Sequence, residues 1–522
     1  MSLHSRRRFL TDVGRGMIAA SVGSTLALEM GLGRAEAGEV PESLDFGSME
    51  PLVRLMQETA VETLLPRLVE QMKSGVELKR LVAAAALANA RTFGGEDYVG
   101  FHTMMALAPA FHMSADLPDA SRALPVLKVL YRNTNRIQEH GGRKSEVLHP
   151  IDAGEDSDTS VTAESLRAAV RGKNTAQAER AYASIAARSP EDALNAVLMA
   201  VEDRPEVHRV VLPYRAWDLL DLIGKEHAQT LLRQSVRYCL SHGAPGDSAG
   251  DPPKLLPRIF DEHHLHDATP GDRDVDDSWI EKMSQTIFAG TPQAAADTAA
   301  AALADGIAPD SIGHAISLAA NQIILRDAGR TARDEVPNKP IGSVHGDSIG
   351  VHACDSANAW RNLARVTNTQ NRFACLILGA YQVAYDRTER GGDFLHWQPL
   401  PLPEHVRQIS ETRPEALLAE LDTALRGNLQ AHAAAIAQRY CDLGHAARPA
   451  FDLLLKYAVS EDGALHAEKF YRTSCEEFAA NRPAFRWRQL AALARVTASE
   501  YGRPAPGVAE ARELLMHANA AG

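Results

Sequence analysis

The sequence predicts an all-α protein built from four tandem helical repeats. Beyond residue 48, segments rich in Ala and Leu follow one another, with apolar residues spaced near 3.6, as in residues 81–87. Segments that alternate apolar and polar residues and are rich in β-branched side chains are nearly absent. One order of features also recurs four times along the chain.

Composition excludes several classes of protein. The chain has 522 residues, 45% hydrophobic and 23% charged, enough for a large core. A formal net charge of −12 argues against a general nucleic-acid binder. The body contains no run of 18 apolar residues, and its five cysteines are scattered and never spaced CxxC. We therefore expect a globular protein without nucleic-acid partners, a disulfide scaffold or, in its mature form, a membrane segment.

The first 37 residues have the pattern of an export signal. Arginines 6–8 precede Phe9 and Leu10, an apolar stretch spans residues 17–32, and residues 35–37 fit a small-x-small cleavage site. This pattern resembles the twin-arginine (Tat) signal. The resemblance implies the Tat export machinery as a partner and a bacterial protein exported in folded form to the periplasm or beyond. It also favours a cofactor, because many such proteins carry one. Residues 38–49 are then a linker.

An acid followed five residues later by a histidine marks each repeat. The four pairs are Asp97/His102, Asp203/His208, Asp347/His352 and Glu461/His466. In three copies an arginine follows twenty residues after the histidine: Arg122, Arg372 and Arg486. The simplest interpretation is two duplicated halves, residues 50–285 and 286–522, with an insertion at 242–278. Two repeats in each half give about sixteen helices, stacked into a toroid or a solenoid-like bundle.

The repeated histidines are the candidate metal ligands. If each acid is the N-cap of its helix, the histidine lies near the positive end of the helix dipole, where a neutral imidazole is favoured. The neutral ring binds metals or acts as a base. Helices packed with like ends together would bring His102, His208, His352 and His466 to one centre. His149 and His396, from the linkers, are further candidate ligands.

Other residues are candidates for supporting roles. Asp347, His352 and Asp355 lie in one short stretch, so the second half is the expected place for catalysis, with an aspartate as proton acceptor. The three repeated arginines are interpreted as structural, bonded to the C-terminal carbonyls of the histidine helices. A second group of polar side chains follows the histidines by five to nine residues and could line a pocket: Tyr214, Arg215, Asn358, Arg361, Tyr471 and Arg472.

The leading hypothesis is an exported metal-dependent enzyme, favoured as an oxidoreductase, acting on a small organic substrate. A set of nitrogen ligands suits iron, copper or zinc. HExxH, GxSxG, Walker and GxGxxG signatures are absent. Two alternatives stay open: a non-catalytic periplasmic repeat protein in which the histidines only hold helices together, and a metal-free lyase or monooxygenase with a histidine base. The substrate, the metal and the oligomeric state are left open.

Overall fold

The prediction of an all-α protein is confirmed. The computed structural model describes residues 42–151, 160–242, 252–337, 339–346, 348–389 and 391–520. These residues contain 23 α-helices and a few short 3₁₀ helices, and the only strand-like pairings among them are isolated bridges. The predicted signal at residues 1–37 lies outside the described residues, as does Asp347.

The α-helices are short and follow one another closely. They are α1 Glu50–Glu58, α2 Val61–Lys73, α3 Leu78–Phe93, α4 Tyr98–Ala115, α5 Leu124–Glu139, α6 Ala163–Arg171, α7 Thr175–Ala186, α8 Pro190–Val201, α9 Val207–Ile223, α10 Ala228–Ser241, α11 Pro252–Glu262, α12 Asp277–Ala289, α13 Pro292–Ala304, α14 Pro309–Arg326, α15 Ile349–Val366, α16 Thr369–Glu389, α17 Pro403–Arg407, α18 Pro414–Arg426, α19 Gln430–Asp442, α20 Ala447–Ser460, α21 His466–Ala480, α22 Arg486–Glu500 and α23 Val508–Ala520.

The expected number of about sixteen helices is wrong, because turns divide segments that looked continuous. Lys173 and Asn428 adopt left-handed backbone conformations directly after Gly172 and Gly427, and each separates two helices. The predicted insertion at 242–278 also contains a helix of its own, α11, whose apolar residues are buried.

Four helices form the centre of the structure. α4 contacts α9, α9 contacts α15, α15 contacts α21, and α21 contacts α4, which closes a cycle. The helices run parallel, since residues near their C-terminal ends contact one another, as do residues near their N-terminal ends (described below). Asp218 of α9 bonds His112 of α4 at 3.1 Å, and Arg361 of α15 pairs with Glu477 of α21 at 2.6 Å. Leu44–Gly522 forms one compact unit.

The structural interpretation of the repeated arginines is confirmed for two of them. Arg372 Nε donates to the carbonyl of Ala364 in the last turn of α15, at 2.9 Å. Arg486 Nη2 donates to the carbonyl of Ala479 in the last turn of α21, at 3.4 Å. Arg122 instead pairs with Asp119 at the surface. All five cysteines are unpaired. None of the described helices combines the length and the apolar content needed to cross a membrane.

Candidate functional site

The four helix histidines lie against one another at the N-terminal ends of the central helices. Ring centroids are 4.9 Å apart for His102 and His208, 5.7 Å for His208 and His352, 5.3 Å for His352 and His466, and 5.1 Å for His466 and His102. Nε2 of His352 is 3.3 Å from Nε2 of His466. Three of the side chains are buried, and that of His208 is 13% exposed. These residues are called the four-histidine cluster below.

Hydrogen bonds orient two of the rings. His102 Nδ1 lies 2.7 Å from the carbonyl oxygen of Tyr98, which can only accept, so this nitrogen carries the proton. His208 Nδ1 lies 2.7 Å from Glu206 Oε1, a carboxylate oxygen that accepts in the same way. In the neutral form of either ring, the lone pair would therefore be on Nε2. Neither Nε2 has a hydrogen-bond partner within the described part of the chain.

Acidic caps place the first two histidines. Asp97 is the N-cap of α4, as predicted, and its carboxylate accepts from Gly100 N at 2.7 Å. The prediction that Asp203 caps the helix of His208 is wrong, because its carboxylate is buried in ion pairs with Arg167 and Arg171. Glu206 caps α9 instead and accepts from the backbone N–H of His208 itself.

Among the described residues, no acidic side chain caps the helices that carry the other two histidines. The Ser348 hydroxyl caps α15 and accepts from Val351 N at 3.3 Å. α21 follows Leu465, which has a left-handed backbone and makes no side-chain cap bond. The prediction that Glu461 caps the helix of His466 is wrong, because its carboxylate accepts hydrogen bonds from the backbone N–H groups of Gly502 and Arg503.

The two linker histidines occupy loops. His396 is 80% exposed and bonds Asp393 at 2.5 Å, so the structure leaves it at the surface, away from the buried cluster. His149 is half-buried in the loop after α5, and its carbonyl accepts from Arg233 Nη1 at 2.8 Å. The structure thus brings together the four helix histidines rather than all six predicted ligands.

Three charged side chains are buried among the central helices near the cluster: Asp355, Arg215 and Lys469. Asp355, a predicted catalytic residue, is buried one turn after His352 and accepts from Thr473 Oγ1 at 2.8 Å. Arg215 Nη2 donates to the same Thr473 hydroxyl at 3.4 Å. Lys469, one turn after His466, is 2% exposed. Lys469 was not among the predicted site residues, although its spacing of three residues from His466 places it on the same side of the helix.

Burial and nearby charge keep two rings of the cluster neutral. Desolvation lowers the pKa of His102 and of His466 well below the ordinary value, and repulsion by Lys469 lowers both further. Burial alone would raise the pKa of Glu206, but attraction and hydrogen bonds from His208 lower it to about 2. Burial lowers the pKa of Lys469 to about 8 and raises that of Asp355. The site therefore combines the neutral imidazoles of His102 and His466 with an ionised carboxylate, that of Glu206, beside His208.

A surface groove lies at the opposite, C-terminal end of α9, α15 and α21. It has a volume of about 800 Å³. Three of the predicted pocket residues, Tyr214, Arg361 and Arg472, line it. The other three, Arg215, Asn358 and Tyr471, do not line it. Arg215 links the groove to Asp355: it pairs with Asp218 of the groove wall at 3.1 Å and donates to Thr473, whose hydroxyl donates to Asp355.

Comparisons with known proteins assign no family. The chain matches no protein-family model, no curated protein and no solved structure. Across the described ranges, no group of three or more His, Cys, Asp or Glu side chains already has the arrangement of a metal site.

Proposed function

We propose that the chain is an enzyme whose reaction centre is the four-histidine cluster, and that the cluster binds one transition-metal ion: iron, copper or zinc. The observation that carries the proposal is the meeting of four imidazoles in which Nε2 of His102 and of His208 has no partner among the described residues. Buried polar atoms are nearly always hydrogen-bonded, so two buried lone pairs in one cluster require a ligand.

The tautomers and one distance support a shared ion. Ligating histidines typically donate their other N–H to a carbonyl or carboxylate, as His102 and His208 do. Two nitrogens about 2.0–2.1 Å from a tetrahedral metal lie about 3.3–3.4 Å apart, and the Nε2 atoms of His352 and His466 are separated by 3.3 Å. Because the four side chains do not yet form a metal site, binding requires the rings to draw together.

On this proposal the protein is exported by the Tat machinery and acts outside the cytoplasm on a small organic substrate. Iron or copper would make it an oxidoreductase, and zinc would supply Lewis-acid chemistry. Asp347, His352 and Asp355 are the proposed sources of proton transfer. The proposal also includes four repeats in two halves, supported by the place of each histidine within the first five residues of its helix.

A metal-free enzyme is the second candidate. The 3.3 Å separation of the Nε2 atoms of His352 and His466 also suits an N–H···N hydrogen bond, in which one ring accepts the proton of the other. Such a pair would serve a lyase or monooxygenase with a histidine base. A non-catalytic binding protein is the third candidate, supported by the groove of about 800 Å³.

Elemental analysis of the processed protein, purified without a histidine tag, tests the proposal. We expect about one transition-metal ion per chain in the wild type and its loss in His102→Ala and His352→Ala. His112→Ala, ten residues further along α4, and His396→Ala at the surface are matched controls that retain the metal.

The same variants separate the alternatives. A wild type that takes up no iron, copper or zinc during purification or reconstitution contradicts the metal site. Activity that survives chelators supports the histidine base. If the histidines only hold helices together, His102→Ala lowers the free energy of unfolding by about 1–3 kcal/mol and changes neither metal content nor any reaction.

A further inference from the structure

The four-histidine cluster is more open to solvent on its α4–α9 side than on its α15–α21 side. The side chain of His208, on α9, is 13% exposed, whereas the other three histidines are 3–4% exposed. The carboxylate of Glu206 beside His208 is partly exposed as well. On the neighbouring α4, Tyr98 is 60% exposed. Solvent therefore comes closest to the cluster at His208.

A loop that is held in place closes the other side. Gly346, the last residue of the described segment 339–346, lies so close to His466 that a Cβ atom added to it would be 2.5 Å from His466 Cβ. Only glycine allows a backbone to approach a side chain this closely. Gly346 N donates to Glu500 Oε1 at 2.7 Å, and Val344 N donates to Ser499 Oγ at 3.0 Å. These bonds tie the loop to α22, so the approach to His466 is blocked.

Aromatic rings surround the open side. The ring centroid of Tyr98 is 4.5 Å from that of His102 and 6.0 Å from that of His208. Next to His208, the rings of Tyr238 and His242 are stacked with centroids 4.2 Å apart. Tyr238 is buried, so Tyr98 provides the exposed tyrosine ring at the point where solvent comes closest to the cluster.

This ring belongs to one copy of the repeat and not to the shared framework. Four residues before the histidine, the other copies have Arg204, Ser348 and Asp462. The backbone carbonyl of Tyr98, rather than its ring, accepts the hydrogen bond from His102 Nδ1. The tyrosine side chain is therefore not required to orient the histidine, and it is available to contact a ligand.

We propose that the substrate reaches the four-histidine cluster on the α4–α9 side and that Tyr98 is a specificity-determining residue, which selects a substrate with a planar ring by stacking on it. A ring stacked there lies next to His102 and His208, whose Nε2 atoms have no hydrogen-bond partner in the described part of the chain. The inference deepens the proposed function, because it names the route and the class of the substrate, and it rests on that function for the reaction only. Stacking needs no metal, so the ring binds the metal-free protein too.

Calorimetric titration of the processed protein with 2-naphthol tests the inference, with the saturated decahydro-2-naphthol as the control that lacks a planar ring. We expect tighter binding of 2-naphthol, weakened roughly 2- to 10-fold in Tyr98→Ala, the range expected for loss of one aromatic stacking contact. Tyr98→Phe keeps the ring and retains binding. Val366→Ala, which shortens an exposed side chain of the surface groove, is the control for binding in that groove.

Each titration is made on metal-free protein and on protein loaded with zinc. Binding that depends on Tyr98 in a protein that takes up no metal supports the inference and contradicts the metal site. Metal uptake with equal binding of the two alcohols does the reverse, and this result counts even if Tyr98→Ala fails to fold. Binding of 2-naphthol that is weakened by Val366→Ala but not by Tyr98→Ala places the ligand in the groove and also overturns the inference.

Discussion

At the scale of single residues, the cluster depends on what holds the second nitrogen of each imidazole. His102 is fixed by a neutral carbonyl and His208 by the carboxylate of Glu206. A carboxylate behind a histidine both orients the ring and makes Nε2 a stronger donor to a metal. Glu206 also accepts from the Tyr238 hydroxyl at 3.0 Å, which fixes the carboxylate itself.

Glu206→Gln therefore tests the metal site without removing a ligand. The amide keeps the shape and an acceptor for the helix cap but removes the negative charge beside His208. We expect metal affinity to fall by roughly 10–100-fold with only a small loss of stability, measured by competition with a chelator of known affinity. Glu191→Gln, an exposed glutamate paired with Lys225, is the control. Unchanged affinity in Glu206→Gln would rule out a supporting role.

The sequence revealed those parts of the site that recur. The four histidines were found because each follows an acid by the same spacing in four copies. Lys469 has no such counterpart: the equivalent position three residues after the histidine holds Met105, Val211 and Asp355 in the other copies. Glu206, two residues before its histidine, has no acidic counterpart in the other three copies either. Self-comparison along one chain detects shared features, whereas the groups that give each copy its chemistry differ.

At the scale of elements, the sequence predicted the helices correctly but not the residues that cap them. The 3.6-residue periodicity was sufficient for the all-α fold, because the buried faces of the helices are apolar and continuous. It did not reveal which acid caps a helix. Asp203 lies in the expected position, yet Arg167 and Arg171 of α6 hold its carboxylate in tertiary ion pairs. Long-range pairing of this kind is invisible in local spacing.

The C-terminus of α8 makes stability depend on pH. Glu202, its C-cap, is buried beside Asp203, and desolvation raises its pKa from 4.5 to about 7. As pH rises between these values, the unfolded chain releases the proton before the folded protein does, so the free energy of unfolding falls.

Glu202→Gln removes this dependence. We expect the variant to gain about 3 kcal/mol relative to the wild type between pH 4 and pH 8, since one pH unit corresponds to about 1.4 kcal/mol. Urea denaturation at both pH values measures the difference. Equal displacement of the variant at pH 4 and pH 8 would show that Glu202 has an ordinary pKa in the folded protein.

At the scale of the whole molecule, side chains from distant parts of the sequence join α5, the neighbour of α4, to α21. Lys128 of α5 donates to the carbonyls of Ala458 and Glu461 at 2.8 and 2.7 Å and pairs with Glu468 of α21. All of these groups are buried. Arg132, one turn later on α5, pairs with Asp462 nearer the surface. These contacts join α5, which packs on α4, to α21, and α4 and α21 contribute His102 and His466 to the cluster.

Replacing Lys128 and, separately, Arg132 compares how much a buried ion pair and a partly exposed one stabilise the protein. Lys128→Met leaves a buried carboxylate and two carbonyls without their donor, so we expect the free energy of unfolding to fall by about 3–5 kcal/mol. Adding Glu468→Gln removes the uncompensated charge, so the free energy of unfolding of the double variant should fall by less than the sum of the two single changes.

Arg132→Met is the surface control. It breaks a pair between the same regions that is about one-quarter exposed, so its free energy of unfolding should fall by only about 0–1 kcal/mol. Urea denaturation of the wild type and of these four variants (Lys128→Met, Glu468→Gln, the double variant and Arg132→Met), with metal content measured in parallel, gives the coupling energy and shows whether metal binding depends on the Lys128–Glu468 pair. Additive losses would mean that Lys128 and Glu468 stabilise the molecule independently of each other.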